Sequence, residues 1–222
     1  MDANQCLPRY RYTPTGERID NITDWAVNKF AAHYRSPKRN GITKDAIFAY
    51  VYACLHDPVW RETYAINLRH EFPRIPFHTD FAWWAKRGRC LLDLHVGYEE
   101  ADPWPIDRHD RDADPGKPKL RSHPAKGCIE IDSATTLTGL PPQAWDYRLG
   151  NRAGLDWVLD QHKEKTVRDK TVEGWLKDNP DARYRFADHK ERVIYLLARV
   201  ATVSVKTMKI VDDLREASSV KA

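Results

Sequence analysis

Apolar residues recur at helical spacing in the first quarter of the chain. Ala26, Phe30 and Tyr34 follow one another at intervals of four. This spacing predicts a helix that starts near residues 21–23. Thr43 is a suitable N-cap for a second helix, because its hydroxyl can accept a hydrogen bond from a free backbone amide. The apolar stripe that follows it is wide and predicts a core helix; its members are Ala46, Ile47, Tyr50, Val51, Cys54 and Leu55.

The same spacing predicts helices in the middle and at the end of the chain. One runs from about Asp80 to Tyr98, and His95 on its inner face is expected to be a hydrogen-bonded core or rim residue rather than a ligand. Another begins near Ala153. The last is the longest and runs from about Asp188 to Glu216, with an apolar stripe along its length.

A short stretch has the character of β-strands. Residues 128–132 alternate with period two, and residues 135–138 are rich in β-branched side chains before a glycine turn. The predicted fold class is therefore α+β: a mostly helical body, a small β element near residues 127–140 and a long C-terminal helix.

Composition divides the chain into three regions. Residues 1–20 are expected to form an N-terminal arm, and residues 21–222 a single domain. Inside that domain, residues 99–127 are dominated by Asp, Pro, Gly, Lys and Arg, which predicts a long loop. Long loops inside compact domains are uncommon and often carry function.

Overall composition excludes several classes of protein. Aromatic residues make up 11% of the 222 residues, which argues against intrinsic disorder. No run approaches the roughly 20 apolar residues of a membrane span, and the first residues lack a signal-peptide pattern. We therefore expect a cytoplasmic protein with no membrane partner. The four cysteines contain no C-x-x-C pair, which favours reduced thiols over a metal site or disulfides.

The net charge of +4 is too small to indicate a nucleic-acid partner by itself. Its distribution is more informative, because the positive excess falls in the N-terminal region, the predicted loop and the C-terminal third. Basic and amide side chains in loops and turns suit phosphate and base contacts, but on charge alone the pattern is more typical of a plain solvated surface. Three clusters are candidates for DNA contacts: Arg35, Lys38 and Arg39; Lys117, Lys119, Arg121 and Lys126; Arg148, Asn151 and Arg152.

Catalytic signatures are missing from the sequence. It contains neither nucleotide-binding glycine motif, no G-x-S-x-G and no H-E-x-x-H, so we predict no catalytic, cofactor-binding or metal-binding residue. The string DPVW at 57–60 resembles the D-P-P-[YFW] loop of amino-methyltransferases. A simpler interpretation makes Asp57 the N-cap and Pro58 the first residue of a helix that runs to about Glu71.

A series of motifs spans nearly the whole chain in order. They include NITDW at 21–25, EFPRIP at 71–76, TTLTGLPPQAWDY at 135–147, LGNRAGLDW at 149–157 and VATVSVKTMKIV at 200–211. Together they resemble the C-terminal specificity domain of type ISP restriction–modification enzymes. Those enzymes join a nuclease, a helicase-like ATPase, an adenine methyltransferase and a target-recognition domain in one polypeptide.

The resemblance implies a non-catalytic module that reads an asymmetric sequence in double-stranded DNA for the methyltransferase, helicase-like and nuclease domains. No cofactor is expected. The alternative is a protein-interaction module that docks on the methyltransferase or helicase-like domains and contributes little affinity for DNA. Tryptophans could serve such docking, namely Trp25, Trp60, Trp83 and Trp84.

Overall fold

The computed structural model describes residues 6–35 and 41–219. They form two compact units: the first takes the chain up to Val96 and again from Lys209, and the second comprises Gly97–Met208. Within the described ranges there are seven α-helices and eight short β-strands. The predicted α+β class, with its small β element and long C-terminal helix, is confirmed.

The first unit is built from helices and one hairpin. Strands β1 (Tyr10–Tyr12) and β2 (Arg18–Asp20) pair antiparallel inside the predicted N-terminal arm. The division of the chain at residue 20 stays a prediction. The four helices of this unit are α1 (Asp24–His33), α2 (Lys44–His56), α3 (Pro58–Thr63) and α4 (Phe81–Val96).

Helices α2 and α4 approach closely at a glycine. A Cβ atom added to Gly88 on α4 would lie 1.7 Å from the carbonyl oxygen of Ala49 on α2. Tyr50, also on α2, is fully buried, and its hydroxyl donates to the carbonyl of Pro76 over 2.7 Å. Burial raises the pKa of Tyr50, so the phenol stays protonated and fixes the connector before α4.

Asp57 caps a helix, as the simpler interpretation predicted. Its Oδ1 accepts from the amide of Val59 over 3.0 Å, and its Oδ2 accepts from the hydroxyl of Ser218 over 2.6 Å. The helix ends at Thr63, however, and not near Glu71. Between residues 61 and 71 no side chain is buried, so tertiary packing does not stabilise further helical turns there.

The second unit contains a four-stranded antiparallel sheet in the order β3 (Asp107–Asp110), β6 (Thr135–Thr138), β5 (Cys128–Glu130) and β4 (Arg121–His123). Strands β5 (Cys128–Glu130) and β6 (Thr135–Thr138) are the predicted β element. Strands β3 (Asp107–Asp110) and β4 (Arg121–His123) lie inside the stretch predicted to be a loop. The loop prediction was therefore wrong for residues 107–110 and 121–123. Strand β3 is exposed along its whole length, so it has no apolar alternation that could mark it as a strand in the sequence.

A hairpin and three helices complete the second unit. The hairpin consists of β7 (Arg148–Leu149) and β8 (Arg152–Ala153). The helices are α5 (Gly154–Gln161), α6 (Lys170–Asp178) and the start of α7 (Lys190–Ser219). The core of this unit is formed by one face of the sheet, by α5 and by the first turns of α7; its fully buried members include Ile129, Leu137, Leu155, Val193 and Leu197.

A buried ion pair ties the sheet of the second unit to the start of α7. Lys190 Nζ lies 2.7 Å from Oδ2 of Asp132, which is only 4% exposed. The other carboxylate oxygen accepts from the amides of Ala134 and Thr135. Burial opposes ionisation of Asp132, but the Lys190 hydrogen bond and the two amides outweigh it, so the pKa of this carboxyl is lowered.

The four cysteines are free thiols, and burial raises the pKa of Cys54 to about 12. Among the helices of the described chain, none combines the length and the apolar character that crossing a bilayer requires.

Candidate functional site

The first predicted cluster follows helix α1. Arg35 is exposed and has a positive φ of 47°. Lys38 and Arg39 lie outside the described residues. Arg35 belongs to the first unit, whereas the other two clusters belong to the second.

The second cluster lies on a segment that the sheet holds in place. The amides of Lys119 and Leu120 both donate to the carbonyl of Ile131, over 2.8 and 3.2 Å. Two residues thus face one, as in a β-bulge, and Leu120 has a φ of 45°. Its side chain is buried in the core of the second unit, whereas Lys117, Lys119 and Arg121 are exposed. The alternation directs the basic side chains outward.

The third cluster occupies the β7–β8 hairpin. The guanidinium of Arg148 donates to the carbonyl of Asn151 across the turn. Arg152 Nη1 lies 2.9 Å from Oδ2 of Asp160 on α5, and its guanidinium carbon lies 5.5 Å from the centre of the Trp157 ring. These contacts brace the hairpin against α5.

Two open grooves in the second unit bring members of these clusters together. The first, of about 510 Å³, includes Lys117 and Lys119 in its lining. The second, of about 430 Å³, includes Arg121 and Arg152. Lys163 lines both grooves, so they adjoin. We call their shared surface the basic face, defined by Lys117, Lys119, Arg121, Arg152, Lys163, Lys165 and Arg183.

Three predicted residues of the second unit, Lys126, Arg148 and Asn151, are exposed but line neither groove. Conversely, sequence reasoning missed Lys163, Lys165 and Arg183. The positive excess of the C-terminal third was the only sequence signal that could have indicated them.

Four acidic side chains line the same grooves, and each has a partner within the second unit. Asp156 accepts from the hydroxyl of Ser122, and Glu164 accepts from the amide of Phe186. Glu173 pairs with Arg183 at 2.8 Å. Asp160 forms ion pairs with Lys163, at 3.2 Å, and with Arg152, at 2.9 Å. Hydrogen bonds from these two cations lower the pKa of Asp160.

The basic side chains are not all neutralised in this way. Lys117, Lys119, Arg121 and Lys165 form no ion pair with any residue of 6–35 or 41–219. The basic face therefore has an excess of accessible positive charge. Such an arrangement suits an extended polyanion, since Lys and Arg are the principal phosphate ligands. In the described part of the chain, no group of three or more His, Cys, Asp and Glu side chains could hold a metal ion.

Comparison with known families decides the relationship of the chain. The model of the Type ISP C-terminal specificity domain matches residues 1–196. The chain belongs to this family. The predicted relationship is thereby confirmed, and the matched residues contain the whole basic face.

Solved structures resemble this specificity domain over nearly its full length. The cryo-EM structure of a DrdV–DNA complex is 48% identical with a TM-score of 0.85, and the match covers 94% of this chain and 21% of that one. A nuclease-deletion mutant of the Type ISP restriction-modification enzyme LlaGI, in complex with a DNA substrate mimic, is 27% identical with a TM-score of 0.67, over 93% and 17% of the two chains.

A third structure is the ATP-dependent Type ISP restriction-modification enzyme LlaBIII bound to DNA. It is 25% identical with a TM-score of 0.69, over 92% of this specificity domain and 13% of that chain. The chain thus spans about a fifth or less of the length of these relatives. Comparison with curated proteins finds no match.

Proposed function

We propose that this specificity domain binds double-stranded DNA through the basic face and recognises a target sequence for a larger restriction–modification enzyme. The observation that carries the proposal is the charge pattern of the two grooves. Their acidic side chains are occupied by partners in the same unit, while Lys117, Lys119, Arg121 and Lys165 are accessible without acidic partners in the described chain. A duplex bound there would meet basic side chains that have no carboxylate partner in the described part of the chain.

The structural relatives support this proposal. DrdV, LlaGI and LlaBIII are each described in a complex with DNA or a DNA mimic. Because the chain corresponds to 21% or less of each, nuclease, helicase-like ATPase and methyltransferase domains are its proposed partners. Arg35, Lys38, Arg39, Lys126 and Arg148 are proposed as further DNA contacts.

A non-catalytic role is part of the proposal, and the environment of Asp57 supports it. The carboxylate is fully buried, and both oxygens are occupied, by the amide of Val59 and the hydroxyl of Ser218. A carboxylate used in this way is a helix cap and is not available to a substrate.

The docking alternative has one observation in its favour. The first unit exposes Trp25, Ile66 and Phe72, which are 69%, 76% and 62% accessible. Two of the tryptophans suggested for docking are unsuitable, because Trp60 and Trp84 are only 7% and 2% exposed. Large apolar side chains scattered singly are normal on protein surfaces, so this evidence is weaker than the charge pattern.

Gel retardation of duplex DNA by the isolated chain, repeated over a series of salt concentrations, tests the proposal. We expect retardation whose logarithmic binding constant falls linearly with the logarithm of salt concentration. Binding that is absent at low salt would contradict DNA recognition and favour docking, which pull-down with the methyltransferase domain would then reveal.

A further inference from the structure

The β7–β8 hairpin carries a side-chain amide that no described residue uses. Asn151 is exposed, and its backbone carbonyl accepts from Arg148. Its side-chain oxygen and nitrogen have no hydrogen-bond partner within 6–35 and 41–219. Two other asparagines differ in this respect: the side-chain amides of Asn21 and Asn179 donate to the carbonyls of Pro8 and Trp175, over 2.8 and 3.0 Å.

The hairpin that carries this amide is held to α5 by side-chain contacts. Trp157 Nε1 donates to the carbonyl of Leu149 over 3.0 Å and so fixes the first strand of the hairpin to α5. The pairing of Arg152 with Asp160 fixes the second strand. Gly150 has a φ of 67°, which suits the tight turn between them. A braced hairpin loses little conformational entropy on binding, so an exposed polar group on it is well placed for recognition.

The hairpin also borders the basic face. Arg152, the residue after Asn151, lines a groove together with Arg121. Phosphate contacts fix the position of a protein on DNA, whereas contacts to base edges provide sequence preference. Basic side chains and a free side-chain amide therefore occur close together in the second unit.

We infer that Asn151 reads an adenine in the major groove of the DNA that the basic face holds. The inference rests on the proposed function and assigns part of its specificity to one residue. An asparagine amide matches adenine because its N–H donates to N7 while its oxygen accepts from the N6 amino group. A two-stranded β-ribbon fits the major groove, which is about 12 Å wide.

The test compares sequence preference, measured by selection from a randomised duplex library and by competition binding with single-position variants. In Asn151→Ala, the preference for A·T at one position should fall by about 5- to 150-fold, while affinity for unrelated duplex and the salt slope stay at wild-type values. Asn151→Asp should move the preference at that position towards C·G, since a carboxylate accepts from the cytosine amino group. Gln143→Ala, which removes another exposed amide of the same unit, is the control and should change nothing.

The outcomes separate this inference from the function on which it rests. A wild-type chain that binds DNA, with Asn151→Ala retaining the same base preferences, would overturn the role of Asn151 and leave the proposed function intact. A wild-type chain without salt-dependent binding would overturn both. If Asn151→Ala instead lost affinity for all sequences alike, with a smaller salt slope, Asn151 would contact the phosphate backbone of the DNA, and the inference would also be overturned.

Discussion

The Leu120 amide donates to the Ile131 carbonyl over 3.2 Å, and both side chains are buried in the same core. This link anchors a segment that carries Lys119 and Arg121 on either side of Leu120. Basic residues that composition assigned to a loop are therefore held against a sheet, which makes them a defined surface.

Leu120→Ala should destabilise the chain, because it removes a side chain that is only 3% exposed. We expect a loss of about 2–5 kcal/mol in the free energy of unfolding, measured by urea denaturation. Lys119→Ala, one residue away and exposed, should stay within about 0.5 kcal/mol of wild type. Equal stabilities for the two variants would contradict the anchoring role of Leu120.

Gly88→Ala should disrupt the contact between α2 and α4. The new Cβ would lie 1.7 Å from the Ala49 carbonyl oxygen, so the two helices must separate. Overpacking of this kind costs at least about 1–3 kcal/mol in unfolding free energy. The matched control is Gly174→Ala in α6, where a Cβ meets nothing within 4 Å. That change should stabilise the chain by up to about 1 kcal/mol through helix propensity, so thermal melting should move in opposite directions.

Asp132→Asn should leave the ammonium of Lys190 without its buried counter-ion. Breaking a buried pair by removing one partner costs about 3–5 kcal/mol, and chemical denaturation at neutral pH measures the loss. Because the pKa of Asp132 is lowered in the folded state, its stabilising contribution is present above the ordinary value of 3.8 and is lost as pH falls through the folded value. Asp112→Asn, at an exposed aspartate, is the control. If Asp132→Asn lost stability at acid pH in the same way as the wild type, this role of the pair would be contradicted.

His95 should make the free energy of unfolding depend on pH in a range above that of Asp132. Its Nδ1 lies 2.7 Å from the Tyr52 hydroxyl, and burial, followed by the nearby His56, lowers the pKa of His95 to about 4. Between this value and the ordinary 6.5 the unfolded chain binds more protons than the folded chain, so stability should fall as pH drops from 6.5 to 4. His95→Gln should flatten the curve of unfolding free energy against pH in this window. An unchanged slope would show that the His95 ring protonates freely in the folded chain.

Local chemistry made much of the fold predictable. Thr43 and the apolar stripe after it indicated the start and the inner face of α2, and the capping chemistry of Asp57 and Pro58 indicated where α3 begins. Strands β3 and β4 were not predicted, because they are defined by backbone pairing, of β3 with β6 and of β4 with β5. Exposed edge strands need no apolar alternation. Helix α6 is polar, with Leu176 as its one buried residue among those described, so it left little periodic signal.

The candidate site was predictable in its residue types and not in its arrangement. Clustered charge along the sequence indicated Lys117, Lys119 and Arg121. That Lys163 would lie beside them follows from tertiary packing between segments that are far apart in the sequence. Sequence charge also could not show which cations are neutralised: Arg152 pairs with Asp160, whereas Arg121 has no acidic partner in the described chain.

The salt dependence of duplex binding by the triple variant Lys117→Ala, Lys119→Ala, Arg121→Ala tests the central claim most directly. The control removes three exposed basic charges from the first unit instead: Arg61, Arg69 and Lys86, each to Ala. We expect the first variant to bind all sequences more weakly and to an equal degree, with a salt slope reduced by about 0.9 for every phosphate that it no longer neutralises. The control should retain the wild-type slope. Both should melt near the wild-type temperature, since surface changes usually stay within about 0.5 kcal/mol. Wild-type affinity and slope in the Lys117, Lys119 and Arg121 variant would remove this segment from the DNA interface and contradict the assignment of the basic face.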